Sequence, residues 1–211
     1  MRAFFILLFI FLFTSVLAQN TNFVGGVFIN ANGVHFEGDN QIFWRTPSGK
    51  VTGGGGLSAG IYVKRHLSEK IYFGLELRYI QKGSVFEYGN LFQTRSVETM
   101  RINYAEIPVS VGYTFKTNKK DYFFETGLAY GKQISANLYL NKFTSENDIS
   151  NIDQFKENDL SWVGSLKFPI NEKRKNNLLF GIRTSYSLKS IHRYYNLRNW
   201  VYGVQVDYLI R

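Results

Sequence analysis

The chain has 211 residues, with 25 Lys and Arg against 16 Asp and Glu, no cysteine, and 19 Phe, 14 Tyr and 3 Trp. Without cysteine there is neither a disulfide scaffold nor a thiolate zinc site, and so many aromatics exclude a disordered chain. The formal net charge of +9 hints at an anionic partner, but a mean hydropathy of −0.18 combined with abundant Tyr and Phe fits pleated surfaces and membrane interfaces better.

The first element is a targeting segment. Arg2 precedes an apolar run over residues 3–13, then Thr14, Ser15, Val16, Leu17 and Ala18, the order of a secretory signal peptide with its cut after Ala18. The run is about half of the roughly 20 residues that a membrane-spanning helix needs. Residues 1–18 are therefore expected to be removed, leaving a single domain over 19–211. Loss of Arg2 lowers the formal charge from +9 to +8. No cysteine follows the run, so lipid attachment at this point is not expected.

From there the chain alternates with period two, the mark of strands. The outward sets are Phe23, Gly25, Val27, Ile29, Ala31, loosened by glycine; then Leu57, Ala59, Ile61, Val63; then Ile71, Phe73, Leu75, Leu77, Tyr79. They continue as Ala105, Ile107, Val109, Val111, Tyr113, Phe115; Tyr122, Phe124, Thr126, Leu128, Tyr130; and Leu160, Trp162, Gly164, Leu166, Phe168. Leu178, Phe180, Ile182, Thr184, Tyr186, Leu188 and Trp200, Tyr202, Val204, Val206, Tyr208, Ile210 complete eight strands.

These faces contain no Asp, Glu, Lys or Arg, and the clearest strands run for 9 to 11 residues, the length that a tilted strand needs to cross a bilayer. The opposite faces mix glycines with Glu76, Arg78, Glu106, Glu125, Arg183, Gln205 and Asp207. A narrow lumen needs such glycines beside paired charges, whereas a soluble lipocalin-type barrel inverts the two faces. The fold expected is all-β: an eight-stranded antiparallel up-and-down transmembrane β-barrel.

Short connections at 66–70, 116–121 and 171–177 alternate with long ones at about 32–56, 83–103, 135–159 and 190–199. Outer-membrane barrels have short periplasmic turns and long external loops, so both termini are expected in the periplasm. The polar stretch 144–158 reads as a mobile loop, and Gly53 to Gly56 as a flexible entry to the second strand. Proline at 108 removes a ladder donor and predicts a bulge or bend.

The run Asn103, Tyr104, Ala105, Glu106, Ile107, Pro108, Val109, Ser110, Val111, Gly112, Tyr113, preceded by the strand ending at Gly83, resembles the PorT-like small outer-membrane β-barrel family, whose members carry a Tyr-x-Glu-Ile-Pro strand. The resemblance implies an eight-stranded outer-membrane barrel without catalytic residues, some of whose relatives are associated with protein export. Arg211 after Ile210 departs from the aromatic ending common in such barrels.

Glu106 is expected to pair with a lumen cation such as Arg78, Arg183 or Lys64, closing the lumen as an ion-pair network of Glu76, Arg78, Glu106, Glu125, Arg183 and Asp207; a narrow pore is the alternative. Tyr113, Phe115, Tyr122, Phe124 and Phe168 near the short turns, and Tyr79, Tyr130, Tyr186 and Trp200 near the long loops, read as two interfacial girdles. His35, His66 and His192 lack ligand spacing and read as loop residues, so no metal and no cofactor is expected. The lipid-directed faces offer no nucleophile or base, so no enzyme is expected; the catalytic alternative is a lipid-modifying site built from loops, for example His35 with Ser145 and Glu146.

Basic clusters at Lys116, Lys119, Lys120 and at Lys173, Arg174, Lys175 fall in short turns. They suit an acidic periplasmic or secretion-system protein, or anionic head groups, and not nucleic acid. Lipids, lipopolysaccharide and the outer-membrane assembly machinery are the remaining partners expected. The functional expectation is a structural, surface-interaction or export-accessory protein of the outer membrane.

Overall fold

A computed structural model describes residues 23–38, 50–90, 93–117, 120–142, 145–150, 155–170 and 177–210. The leader, and with it the cut after Ala18, lies outside these residues. Ten strands occur among them: β1 (Phe23–Gly38), β2 (Lys50–Thr52), β3 (Gly54–His66), β4 (Ile71–Asn90), β5 (Gln93–Lys116), β6 (Asp121–Lys142), β7 (Ser145–Ser150), β8 (Asn158–Pro169), β9 (Leu178–Ser187) and β10 (Leu197–Ile210). Eight of them, β1, β3, β4, β5, β6, β8, β9 and β10, pair antiparallel with their neighbours in that order. Pairing of β1 with β10, from Gly25 with Ile210 to Gly38 with Leu197, closes the ring. The eight period-two segments are the eight barrel strands, and their phase is the one read from the sequence. Ile29, Ile61, Leu77, Ile107, Leu128, Ile182 and Val204 point out, while Glu76, Arg78, Glu106, Glu125, Arg183 and Asp207 are buried inside.

The long connections are shorter than the alternation suggested, because strands run on past the apolar band. β4 and β5 have 20 and 24 residues, about twice what a bilayer requires, and stay paired to Asn90 with Gln93. Most of residues 83–103 is thus hairpin and not loop. Beyond the apolar band, alternation no longer separates an uncharged face from a charged one, and the period-two reading loses its marker. β2 joins the free edge of this extension through Lys50 with Glu87, and β7 joins β6 through residues 137–142. The stretch read as a mobile loop at 144–158 therefore contains a paired strand at Ser145–Ser150. Gly54, Gly55 and Gly56 pair with Val34, Gly33 and Asn32 as the start of β3, not as a flexible lead-in.

Pro108 produces no register shift. Leu75 pairs with Val109 and Arg78 with Glu106 in one register, and only the two rungs between are missing. On the other side, Pro108 pairs normally with Ala129. Losing one donor interrupts the ladder locally while the flanking rungs hold the alignment. The irregularity in this strand lies instead at Asn103 and Tyr104, where β6 skips Ile134.

Several glycines are dictated by geometry, Gly83 and Gly112 among them. Gly83 has φ of +140°, and a Cβ there would sit 2.0 Å from the Met100 carbonyl oxygen, so only glycine fits. At Gly112 a Cβ would lie 2.1 Å from the Tyr72 ring; the missing side chain lets that tyrosine fold across the lumen floor.

Candidate functional site

The lumen is filled in three zones. Along β1 the inward residues are Phe28 below, Asn30 and Asn32 in the middle, and Val34 and Phe36 above, all buried. The upper apolar group joins Ile80, Met100, Ile102, Tyr104, Phe155, Ile191, Leu197 and Val201 in one cluster. The lower one joins Tyr62, Leu179 and Leu209.

Between and beside these clusters lies the charge network. The buried charged residues among those described are five cations, Lys64, Arg78, Lys82, Lys167 and Arg183, and five carboxylates, Glu76, Glu106, Glu125, Asp159 and Asp207. Their formal charges cancel. Glu106, at 0% exposure, takes Arg78 Nη2 at 2.5 Å and Lys82 Nζ at 2.6 Å, and Lys82 also reaches Asp159 at 2.6 Å. Asp159 further accepts from the Ser161 and Ser187 hydroxyls at 3.0 and 2.9 Å.

Nearer the short turns, Glu125 binds Lys64, Lys167 at 3.0 Å, the Tyr72 hydroxyl at 2.9 Å and the Ser165 hydroxyl at 3.0 Å. Lys167 continues to Asp207 at 2.9 Å. Arg183 crosses to Glu76 at 2.8 Å, and Gln205 links the two groups by accepting from Arg183 and donating to Asp207. Burial makes such pairs costly to break one partner at a time.

The sequence reading named six of these ten charges as the network, with Lys64 as a further partner. Of the cations proposed for Glu106, Arg78 binds it, while Lys64 and Arg183 bind Glu125 and Glu76. Lys82, Lys167 and Asp159 were missed. Lys167 lies between outward Leu166 and Phe168, so alternation alone places it inside; Asp159 falls at the end of the stretch read as the connection 135–159, and Lys82 directly precedes the one read at 83–103.

Aromatic residues ring both ends of the outer wall. Near the short turns Tyr113 and Phe115 meet edge to face with centroids 4.6 Å apart, and Tyr122, Phe168 and Phe180 form a chain at 6.4 and 5.5 Å; Phe124 stands exposed in the same band. Toward the long hairpins, Tyr130 donates to Asn158 at 2.8 Å, Tyr79 accepts from Gln81 at 3.3 Å, the Arg198 guanidinium lies over the Tyr186 ring, and Trp200 donates to Thr184 at 3.2 Å. Rings with an apolar body and a polar tip suit the edge of a bilayer.

The upper mouth is crossed by two connections knitted together. Lys156 N donates to Ile191 O at 2.7 Å, Phe155 bridges His192, and Ile191 N donates to Leu197 O at 2.7 Å. His192 is buried against Phe155, edge to face at 5.1 Å, and against Tyr195 at 5.0 Å, so it is an anchor of this cap and not a plain loop residue. Burial, and then the Lys156 charge, hold its pKa below the ordinary histidine value. Such a group stabilises the cap fully above the unfolded value near 6.5 and ceases to do so as pH falls through the lowered folded value. Histidine-resolved NMR titration is expected to give His192 a midpoint below that of a free histidine, with amide protection at 155–157 and 190–197 weakening on acidification.

His35 pairs with Trp200 in β10, whereas Ser145 and Glu146 lie on β7 beside β6, across the barrel. The topology does not bring the three together. No group of three His, Asp or Glu among the described residues is placed to hold a metal.

At the opposite mouth a pocket of about 610 Å³ opens beside the short turns at 66–70 and 116–121, while Lys119, Lys173, Arg174 and Lys175 of the basic clusters lie outside the described residues. Leu179, Leu209, Phe123 and Val24 form an apolar side; Lys64 and Tyr72, both held on Glu125, form the inner wall; and Lys116, His66, Ser68 and Asp121 stand at the rim. Thr114 lines it at 3% exposure, with its hydroxyl unpartnered.

A closed antiparallel barrel with an uncharged outer band, aromatic ends and a neutral charged core is the architecture of a membrane-spanning β-barrel. A family model described as outer membrane protein beta-barrel domain matches residues 17–193, and the chain belongs to that family. Among solved structures it is similar to Neisserial surface protein A, at 12% identity over 87% of this chain and 96% of that one with a TM-score of 0.49. Pseudomonas aeruginosa OprG gives 14% identity, 90% and 94% coverage and 0.44. Ail, the attachment invasion locus protein of Yersinia pestis, gives 12%, 89% and 98%, and 0.41. A comparison with curated proteins returns no match.

Proposed function

We propose that the chain, matured by cleavage after Ala18 and inserted with both termini in the periplasm, is a non-catalytic outer-membrane barrel. It acts through its two ends, as a surface-interaction or export-accessory protein of the PorT-like kind. The observation that carries this is the cancelled lumen: five cations and five carboxylates in direct contact, with an apolar cluster at each end of the charged zone. A solute path would need mobile water where these side chains are packed, and small barrels are filled in this way.

In planar bilayers the refolded protein is expected to show no stable open conductance, and a stable single-channel step would replace this reading with the pore. Membrane fractionation and the shift of gel mobility on boiling test the placement. A soluble mature chain with unchanged mobility would end the proposal. An altered acyl pattern of lipid A in cells carrying the gene would revive the catalytic alternative.

A further inference from the structure

The outer wall is not evenly filled. Across β6, β8, β9 and β10 the register aligns three outward rows. Leu128, Trp162, Tyr186 and Trp200 form the row toward the long hairpins, and Phe124, Leu166, Ile182 and Val204 the row toward the short turns. Between them run Thr126, Gly164, Thr184 and Tyr202. With no side chain at Gly164 and a short one at Thr184, the wall sinks there into a groove of about 480 Å³.

Two observations indicate what fills it. The first is that the threonines and indoles of this wall spend their hydrogen bonds on the wall itself. Trp162 Nε1 donates to Thr126 at 3.0 Å, Trp200 Nε1 donates to Thr184 at 3.2 Å, and the Thr184 hydroxyl donates onward to Val201 O at 3.1 Å. Arg183 borders the groove, but its guanidinium turns inward to Glu76. A peptide laid here would leave its N–H and C=O groups unmatched, whereas a hydrocarbon chain has none to lose.

The second observation is the charge at the edge toward the long hairpins. Arg198 lies two residues before Trp200 on β10, with its guanidinium over the Tyr186 ring, and Lys189 stands exposed just past the end of β9. Neither has a carboxylate in ion-pair range among the described residues; Glu37, opposite Arg198 in the β1 ladder, is exposed and makes no pair with it. The spacing suits a lipid. Four residues of strand separate Arg198 from Tyr202, about 13 Å at roughly 3.3 Å each, and one leaflet of a hydrocarbon core is about 15 Å deep. A chain lying in the groove therefore brings its headgroup to the level of these two cations.

We propose that this face binds a membrane lipid with a phosphate headgroup, one acyl chain lying over Gly164 and Thr184 and the phosphate held by Arg198 and Lys189. The site rests on the membrane placement proposed above and adds to it a preferred lipid at one place on the wall.

The test uses the full mature chain in nanodiscs of phosphatidylcholine. Of the three tryptophans, Trp44→Phe and Trp200→Phe leave Trp162 alone at the groove. The probe is phosphatidylglycerol with brominated acyl chains, which quench tryptophan on contact, and the control is phosphatidylcholine with the same chains. The anionic lipid is expected to quench Trp162 with a relative association constant of about five, the effect of one basic residue near an anionic headgroup. Thr184→Phe, which fills the groove, and Arg198→Gln, which removes the headgroup contact, are each expected to bring that ratio near unity, while Lys116→Gln at the opposite rim leaves it unchanged. Retained heat-shifted gel mobility certifies that each variant is folded. Equal quenching by the two lipids, or a preference that neither Thr184→Phe nor Arg198→Gln lowers, overturns the site and leaves the membrane placement standing. Crosslinked dimers in which Trp162 is shielded from both lipids would give the groove to a second copy and overturn it as well. A monomer quenched by neither lipid would end the membrane placement itself, and the site with it.

Discussion

Replacing Glu125 by alanine is expected to lower the unfolding free energy by about 3–5 kcal/mol, the usual effect of removing one partner of a buried charge pair. The size follows from its contacts. Glu125 binds Lys64 and Lys167 and accepts from the Tyr72 and Ser165 hydroxyls. Alanine therefore leaves two lysines facing each other beside Tyr62, with Asp207, bound to Lys167, as the remaining acid in contact with them among the described residues. Glu125→Gln keeps an acceptor for both hydroxyls and is expected to lose less. Adding Lys64→Met to Glu125→Ala is expected to recover part of the loss, because the uncompensated charge goes with it and neighbouring substitutions do not add. Urea unfolding in lipid vesicles, followed by gel mobility, gives all three values. If Glu125→Ala proves within about 0.5 kcal/mol of the native chain, the range typical of surface substitutions, the network is not the core of the fold.

The second large effect concerns a residue that is open to its surroundings. Ile182 is 57% exposed in the middle of β9, outside the barrel. In water, arginine at such a position is nearly neutral. At the midplane of a bilayer, a lipid-facing arginine costs about 2–4 kcal/mol, falling toward zero at the interface. Ile182→Arg is therefore expected to destabilise the protein in vesicles by that amount, and Ile210→Arg, beside the short-turn rim, by much less. Similar small changes at both positions would place the outer wall in water.

These two positions show what the sequence discloses and what it does not. Ile182 was legible because lipid on one side and packed charges on the other force an alternation that every barrel strand repeats. Pairing of charges was not legible. Glu125 and Lys64 are 61 residues apart, and Lys82 and Asp159 are 77; their meeting depends on how strands three apart face one another across a closed ring, which no local spacing encodes. Strand ends were hidden for a related reason. Once β4 and β5 leave the apolar band, both faces carry polar residues and the period loses contrast. His192 was misread because its burial comes from Phe155, supplied by a distant connection. Pro108 erred in the opposite sense: a local rule predicted a distortion that two aligned neighbours absorb. The pocket left no local trace, since its apolar side is assembled from Val24 on β1, Phe123 on β6, Leu179 on β9 and Leu209 on β10.

The direction of the ion pairs across the lumen also bears on how the barrel is made. Lys64 on β3 finds its native partner on β6, Glu76 on β4 finds Arg183 on β9, and Lys82 on β4 finds Asp159 on β8. A sheet holding only β1, β3, β4 and β5 would bring Lys64 and Glu76 toward hydrocarbon without those partners. Half a barrel therefore lacks these pairs and the whole one has them, so closure completes the electrostatics along with the ring. In this protein, closure is a charge-neutralisation step as much as a hydrogen-bonding one.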